Sequence, residues 1–198
     1  MRFKLFSFPP LIVCLLFAAI PAFSQVVPAY QKGGVNLQVG VGASSYDVDW
    51  GHGRMLGGTL WGDWYPAKLP HVLNGLGLEG EARDISLDPN LPPQKNMRQD
   101  TAGGGAIYRW RINDRFNPFF KGLIEDGSVD FYPVGHYSHD TRLLIASGGG
   151  LQFRFFGPLW VRGDYEYQYW ISPLIGNTLN PQGFTLGFAY DFSHPGNH

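Results

Sequence analysis

Four residues in one short stretch, His136, Ser138, His139 and Asp140, are of types that could do chemistry. A histidine two residues from a serine can take the hydroxyl proton for ester attack, with a carboxylate orienting the imidazole. His136 and His139, three apart beside Asp140, are also of the types that ligate a transition metal. Such spacing converges on a helix, however, and this stretch follows Pro133 and Gly135, which reads as a loop. Loop histidines are more often solvated than ligating, and the same holds for His194 and His198 near the C-terminus. Gly103-Gly104-Gly105 and Gly148-Gly149-Gly150 are not phosphate cradles, because no helix follows either. Midway along a strand, such glycines mark curvature or close packing. No catalytic, cofactor-binding or metal-binding residue is expected, and the chain is read as a non-enzyme.

A second set of chemical groups is electrostatic. Asp63, Glu79, Glu81, Glu125, Asp164, Glu166 and Asp191 fall on the same face as Arg83, Arg109, Arg111, Lys121, Arg142, Arg154 and Arg162. Arginine forks opposite carboxylates suit a confined polar interior, where bidentate pairing offsets desolvation. The expected network is therefore paired throughout.

The elements that place these charges alternate with period two. Val35, Leu37, Val39, Val41 and Ala43 share one face, as do Phe184, Leu186, Phe188, Tyr190 and Phe192. Six more such segments lie between them: 54–65, 76–86, 101–111, 118–126, 141–155 and 159–170. Each is near the ~9–11 residues that cross a bilayer when tilted. Connections alternate too. Residues 66–75, 112–117 and 156–158 follow even-numbered strands; 47–53, 87–100, 127–140 and 171–182 follow odd-numbered ones and carry more Asp, Asn, Pro and His. Short turns on one side and longer loops on the other are the habit of outer-membrane barrels.

A soluble ligand-binding barrel alternates as well, with its apolar face inward. Charge decides between the two, since the apolar face here has almost none over the middle of any strand. An ion facing lipid at the midplane costs ~2–4 kcal/mol. Aromatics are expected in two interfacial belts. One contains Trp64, Tyr65, Trp110, Phe119, Phe120, Phe153, Phe155, Trp160, Tyr190 and Phe192; the other contains Tyr46, Trp50, Phe131, Tyr132, Tyr169, Trp170 and Phe184.

Composition agrees. The chain has 27 glycines in 198 residues and 16% aromatics, with 15 basic against 16 acidic residues. Near-neutral charge excludes a nucleic-acid partner. Leu11–Ile20 is an apolar run behind Arg2 and Lys4, ended by Ala22-Phe23-Ser24. It is too short to span a membrane and has the form of a signal peptide, removed after Ser24. The single cysteine, Cys14, lies within it, so the exported chain has no disulfide.

Together the leader, the eight alternating segments and the ending Phe188-Ala189-Tyr190-Asp191-Phe192 resemble the small outer-membrane β-barrel proteins of the OmpA/OmpX type. Family members usually end on that terminal aromatic, which the barrel-assembly machinery reads, whereas Ser193–His198 follows it here. The resemblance implies an all-β, eight-stranded antiparallel up-and-down transmembrane barrel over residues 25–198. Its strands run roughly 35–192, its tail is 193–198, and no peptidoglycan-binding domain follows. It implies a bacterial outer-membrane location with both termini in the periplasm. Expected partners are outer-membrane lipid, the barrel-assembly machinery and a ligand outside the cell, and the barrel is expected to be a monomer without cofactors. The expected role is structural or interactive, through loops displayed by a side-chain-filled barrel. The His-x-Ser pair also resembles that of lipid A deacylases, but those place a Glu where Gly149–Gln152 stand here. A lipid-modifying enzyme, a narrow channel and a soluble exported barrel are the rival readings.

Overall fold

The computed structural model describes residues 36–47, 53–66, 69–87, 96–132, 138–171 and 179–193. The leader, Trp50, His136, His194 and His198 lie outside the described residues. Eight strands follow in order: β1 (Leu37–Asp47), β2 (Arg54–Trp64), β3 (Leu76–Leu87), β4 (Asn96–Arg109), β5 (Phe116–Tyr132), β6 (Ser138–Phe156), β7 (Leu159–Trp170) and β8 (Gln182–Asp191). Each is antiparallel to the next, and β8 returns to β1, so the sheet closes without an edge.

The register sets the shape of the barrel. Directly opposed partners run Leu37, Trp64, Leu78, Ala106, Gly122, Ser147, Tyr167, Gln182 and back to β1 at Asp47. One circuit has climbed ten residues along β1, from Leu37 to Asp47. For eight strands that stagger corresponds to a tilt of about 40° and an interior only wide enough for side chains. Trp61 lies across Gly40 and Gly187, where a Cβ would collide with the indole. Gly157, at φ 53°, makes the tight β6–β7 turn in a conformation that side chains resist.

All eight expected strands are present, but three are longer than the apolar pattern marks. β4 starts at Asn96, β5 runs to Tyr132 and β6 starts at Ser138. Ser138, His139 and Asp140 are therefore strand, not loop. Polar pairs extend the ladder, with Asp84 opposite Asp100, Ser128 opposite Thr141 and Asp130 opposite His139. Backbone hydrogen bonds need no apolar face, so pairing continues past the point where alternation stops.

The outward face is apolar. Along β8, Phe184, Leu186, Phe188 and Tyr190 are 45–66% exposed, with Val39, Val41, Leu60, Ile124 and Leu151 elsewhere on the same surface. The outward charges Asp84, Asp100, Asp126 and Arg98 gather at the end away from the chain termini. The aromatic belts are thinner than expected. Trp64, Trp110, Phe120, Phe153, Phe155, Tyr190 and Phe192 do face outward at one end, and Tyr169 and Phe184 towards the other. Tyr65, Phe119, Trp160, Tyr46 and Trp170 are buried inside instead. Each is one residue out of step with the outward set, and a single-residue step reverses the face.

Candidate functional site

The inward residues of β2 to β7 bring most of the charges into one network. Six carboxylates (Asp63, Glu79, Glu81, Glu125, Asp164, Glu166) and three cations (Arg83, Lys121, Arg162) fill the middle of the lumen, each at most 5% exposed. Alternation alone delivers them there, since Glu79, Glu81 and Arg83 are successive inward positions of β3, and Arg162, Asp164 and Glu166 those of β7.

Three cations organise the network. Arg162 donates from Nε to Asp164 at 2.9 Å, from Nη2 to Glu79 at 2.9 Å and from Nη1 to Asp63 at 3.4 Å. Its guanidinium also lies over the rings of Phe119 (4.2 Å) and Trp61 (4.9 Å). Arg83 donates to Glu81 and, at 2.7 Å, to Glu166, with its plane over Tyr46. Lys121 reaches Glu81, Glu166 at 2.6 Å and Glu79 at 3.4 Å. Around them Ser44 bridges Thr59 and Thr185, and Gln99 bonds Gln168.

Pairing is not complete, contrary to the expectation from the sequence. Glu125 is 1% exposed, and neither of its oxygens has a hydrogen-bond partner among the described residues. Its Cγ packs over Gly103, which leaves no room for a side chain there. Arg109 stacks on Tyr65 at 4.1 Å and makes one long bond, 3.4 Å, to Gln152. Arg154 lies over Trp160, and neither it nor Arg109 meets a carboxylate among the described residues. Arg142 pairs with Asp140 at the other end of the lumen, 3.0 Å away. Arg111 is exposed beyond β4. Two features of sequence made the unpaired groups hard to foresee. Equal numbers of each sign say nothing about height within the barrel, and height depends on the stagger.

The residues first singled out for nucleophilic chemistry come together only in part. His139 projects outward, half exposed, with Nδ1 2.6 Å from Asp130 Oδ1 and Nε2 3.3 Å from Thr141 Oγ1. The order is that of carboxylate, imidazole and hydroxyl in an activated nucleophile, but the hydroxyl belongs to Thr141, and the Ser138 side chain lies outside the described residues. Sequence reasoning missed Asp130 because it is nine residues away and reaches His139 only through the β5–β6 register. Among the described residues no three His, Cys, Asp or Glu side chains are grouped to hold a metal. A shallow groove of about 430 Å³ indents the outer wall, lined by Val39, Leu60, Gly62, Gly80, Ala82 and Ala102 among others.

A closed eight-stranded barrel that is apolar outside and ionic inside has an arrangement that only a bilayer requires. The model of the outer membrane protein beta-barrel domain matches residues 11–192. The chain belongs to this outer-membrane β-barrel family. Among solved structures, Neisserial surface protein A matches with a TM-score of 0.64 at 14% identity, over 81% of this chain and 100% of that one. Ail, the attachment invasion locus protein of Yersinia pestis, matches at 0.57 and 18%, over 82% and 100%. OprG of Pseudomonas aeruginosa matches at 0.55 and 11%, over 82% and 98%. A comparison with curated proteins gives no match. The protein is thus an all-β barrel of the bacterial outer membrane.

Proposed function

We propose that this outer-membrane barrel is a closed scaffold that presents its longer connections to ligands or surfaces outside the cell, without conducting solute or catalysing a reaction. The observation that carries this reading is the filled lumen. Trp61, Trp170, Tyr46, Lys121 and Arg162 are among its largest side chains, and each is at most 2% exposed. An interior of this size is consumed by such residues, unlike the water-filled lumen of a 16-stranded porin. The names of two structural neighbours, a surface protein and an attachment protein, agree with a surface role.

In the same reading residues 1–24 are a leader lost on export, and the barrel-assembly machinery inserts the remainder as a monomer in outer-membrane lipid. The end of the barrel holding the start of β1 and the end of β8 faces the periplasm. The two-residue Gly157-Pro158 turn lies at that end, as short turns do in such barrels. Planar-bilayer recording of the refolded protein provides the test, with little or no conductance expected. Stable conductance comparable to a general porin overturns the reading. On the chemical side, His136→Ala, Ser138→Ala and His139→Ala leave the acylation of lipid A as it is in cells expressing the wild type. Loss of an acyl chain on expression of the wild type, abolished by any of the three, overturns the non-enzymatic part.

A further inference from the structure

Several buried polar atoms of the lumen lack partners among the described residues. At the end where β1 starts and β8 ends, most of the buried groups without a partner among the described residues are donors: Arg109 Nε, Arg154 Nε, the Tyr65 hydroxyl and Trp160 Nε1, beside the Gln38 amide with both its nitrogen and its oxygen unused. Arg109 is 8% exposed and Tyr65 3%. Higher up, acceptors predominate, among them both oxygens of Glu125 and Oδ1 of Asp164, with Trp61 Nε1 and the Thr101 hydroxyl also unused. The carboxylates nearest Arg109 are already engaged. Asp63 accepts from Arg162 and from Gln152 Nε2, while Gln152 Oε1 accepts from Arg109, so the amide separates Arg109 from Asp63. Arg111, two residues past Arg109 and beyond the strand, has its pKa drawn down by burial and by the Arg109 charge, against the opposing pull of Tyr65 and Asp191. Asp191 itself accepts from the backbone N–H and hydroxyl of Ser193.

Three arginines with two carboxylates near them, Asp63 and Asp191, both already engaged, and several unused donors at the same mouth form a site for a negative charge. We propose that this mouth is an oxyanion site, in which Arg109, Arg111 and Arg154, with the Tyr65 hydroxyl, hold a soluble phosphate-type anion. Guanidinium forks match two oxygens of a phosphate at once, and the aromatic rings under Arg109 and Arg154 hold those forks in place. Arg109 and Tyr65 are buried inside the barrel, so a lipid headgroup outside the wall is the less fitting source of that phosphate. Given the orientation proposed above, the anion enters from the periplasm; the binding itself does not depend on that orientation.

The test uses the full exported chain refolded in phosphatidylcholine nanodiscs. Inorganic phosphate is titrated at constant ionic strength against a chloride control, followed by unfolding temperature and by the ³¹P line width. The expected result is a saturable rise in unfolding temperature and a broadened ³¹P line with phosphate, neither of them seen with chloride. Arg109→Gln weakens the apparent affinity by about tenfold or more, the share of one charge-assisted hydrogen bond. Arg154→Gln does likewise and serves if the first variant does not fold. Arg98→Gln, at the opposite end and on the outward face, changes nothing. An equal response to chloride and phosphate, or identical curves for wild type and both lumen variants, overturns the proposal. A second arm places the protein in nanodiscs containing phosphatidic acid. If the stabilisation is already complete there without added phosphate, and absent with phosphate alone in phosphatidylcholine, the lipid headgroup is the ligand and the soluble-anion site is refuted.

Discussion

Arg162→Met is the most informative perturbation of the lumen. Methionine keeps much of the volume over Trp61 and Phe119 and removes only the charge and its donors. The arginine meets three carboxylates, Asp63, Glu79 and Asp164, each at most 5% exposed. Lys121 remains 3.4 Å from Glu79, so that carboxylate keeps a cation, while among the described residues Asp63 keeps only the Gln152 amide and Asp164 keeps no cation. Breaking a buried pair from one side costs ~3–5 kcal/mol because the orphaned charge remains in a dry site. Here one charge is fully orphaned and another nearly so, which puts the loss at the upper part of that range. Urea unfolding of the refolded protein in detergent micelles, with tryptophan emission as the signal, measures it directly. The mobility shift between unboiled and boiled samples in SDS gives a second reading. A loss under ~1 kcal/mol, the range of an exposed ion pair, would show that water reaches the network and that the lumen is not packed as described.

The same logic gives opposite signs for two neighbouring glutamates. Glu81→Gln breaks bonds to Arg83 and Lys121 and destabilises the barrel, whereas Glu125→Gln removes a charge with no partner and leaves stability equal or higher; paired urea curves decide it. Arg98→Ala, which breaks an exposed pair with Asp84, lowers stability by less than ~1 kcal/mol in the same assay. Leu186→Arg, on the outward face of β8, costs ~2–4 kcal/mol in lipid if it lies near the midplane, and an effect near zero would reverse the assignment of the faces. Gly40→Val forces a branched side chain against the Trp61 indole and shifts its fluorescence along with the unfolding midpoint.

Alternation determined the fold class and the number of strands, and the placement of charge then decided which side chains face inward. The reason is geometric: in a strand successive side chains point to opposite faces, so one decision about the polar face assigns Glu79, Glu81, Arg83, Arg162, Asp164 and Glu166 together. The same rule, applied residue by residue, would also have turned Tyr65, Phe119 and Trp170 inward. Clustering of aromatics along the chain suggests a belt, but parity alone sets the face on which each one lies. Strand length was legible only where apolar residues marked it, and the polar extensions of β4, β5 and β6 carry no such mark.

Only the closed barrel decided who meets whom. Arg162 and Glu79 are 83 residues apart and face each other across the lumen, as do Arg83 and Glu166. Such contacts depend on the ten-residue stagger of the closed sheet, a property of all eight registers at once and not of any local segment. That stagger sets each charge at its own height. It is why near-equal numbers of positive and negative residues in the chain become a carboxylate-rich middle, with Glu125 unpaired among the described residues, and an arginine-rich mouth around Arg109.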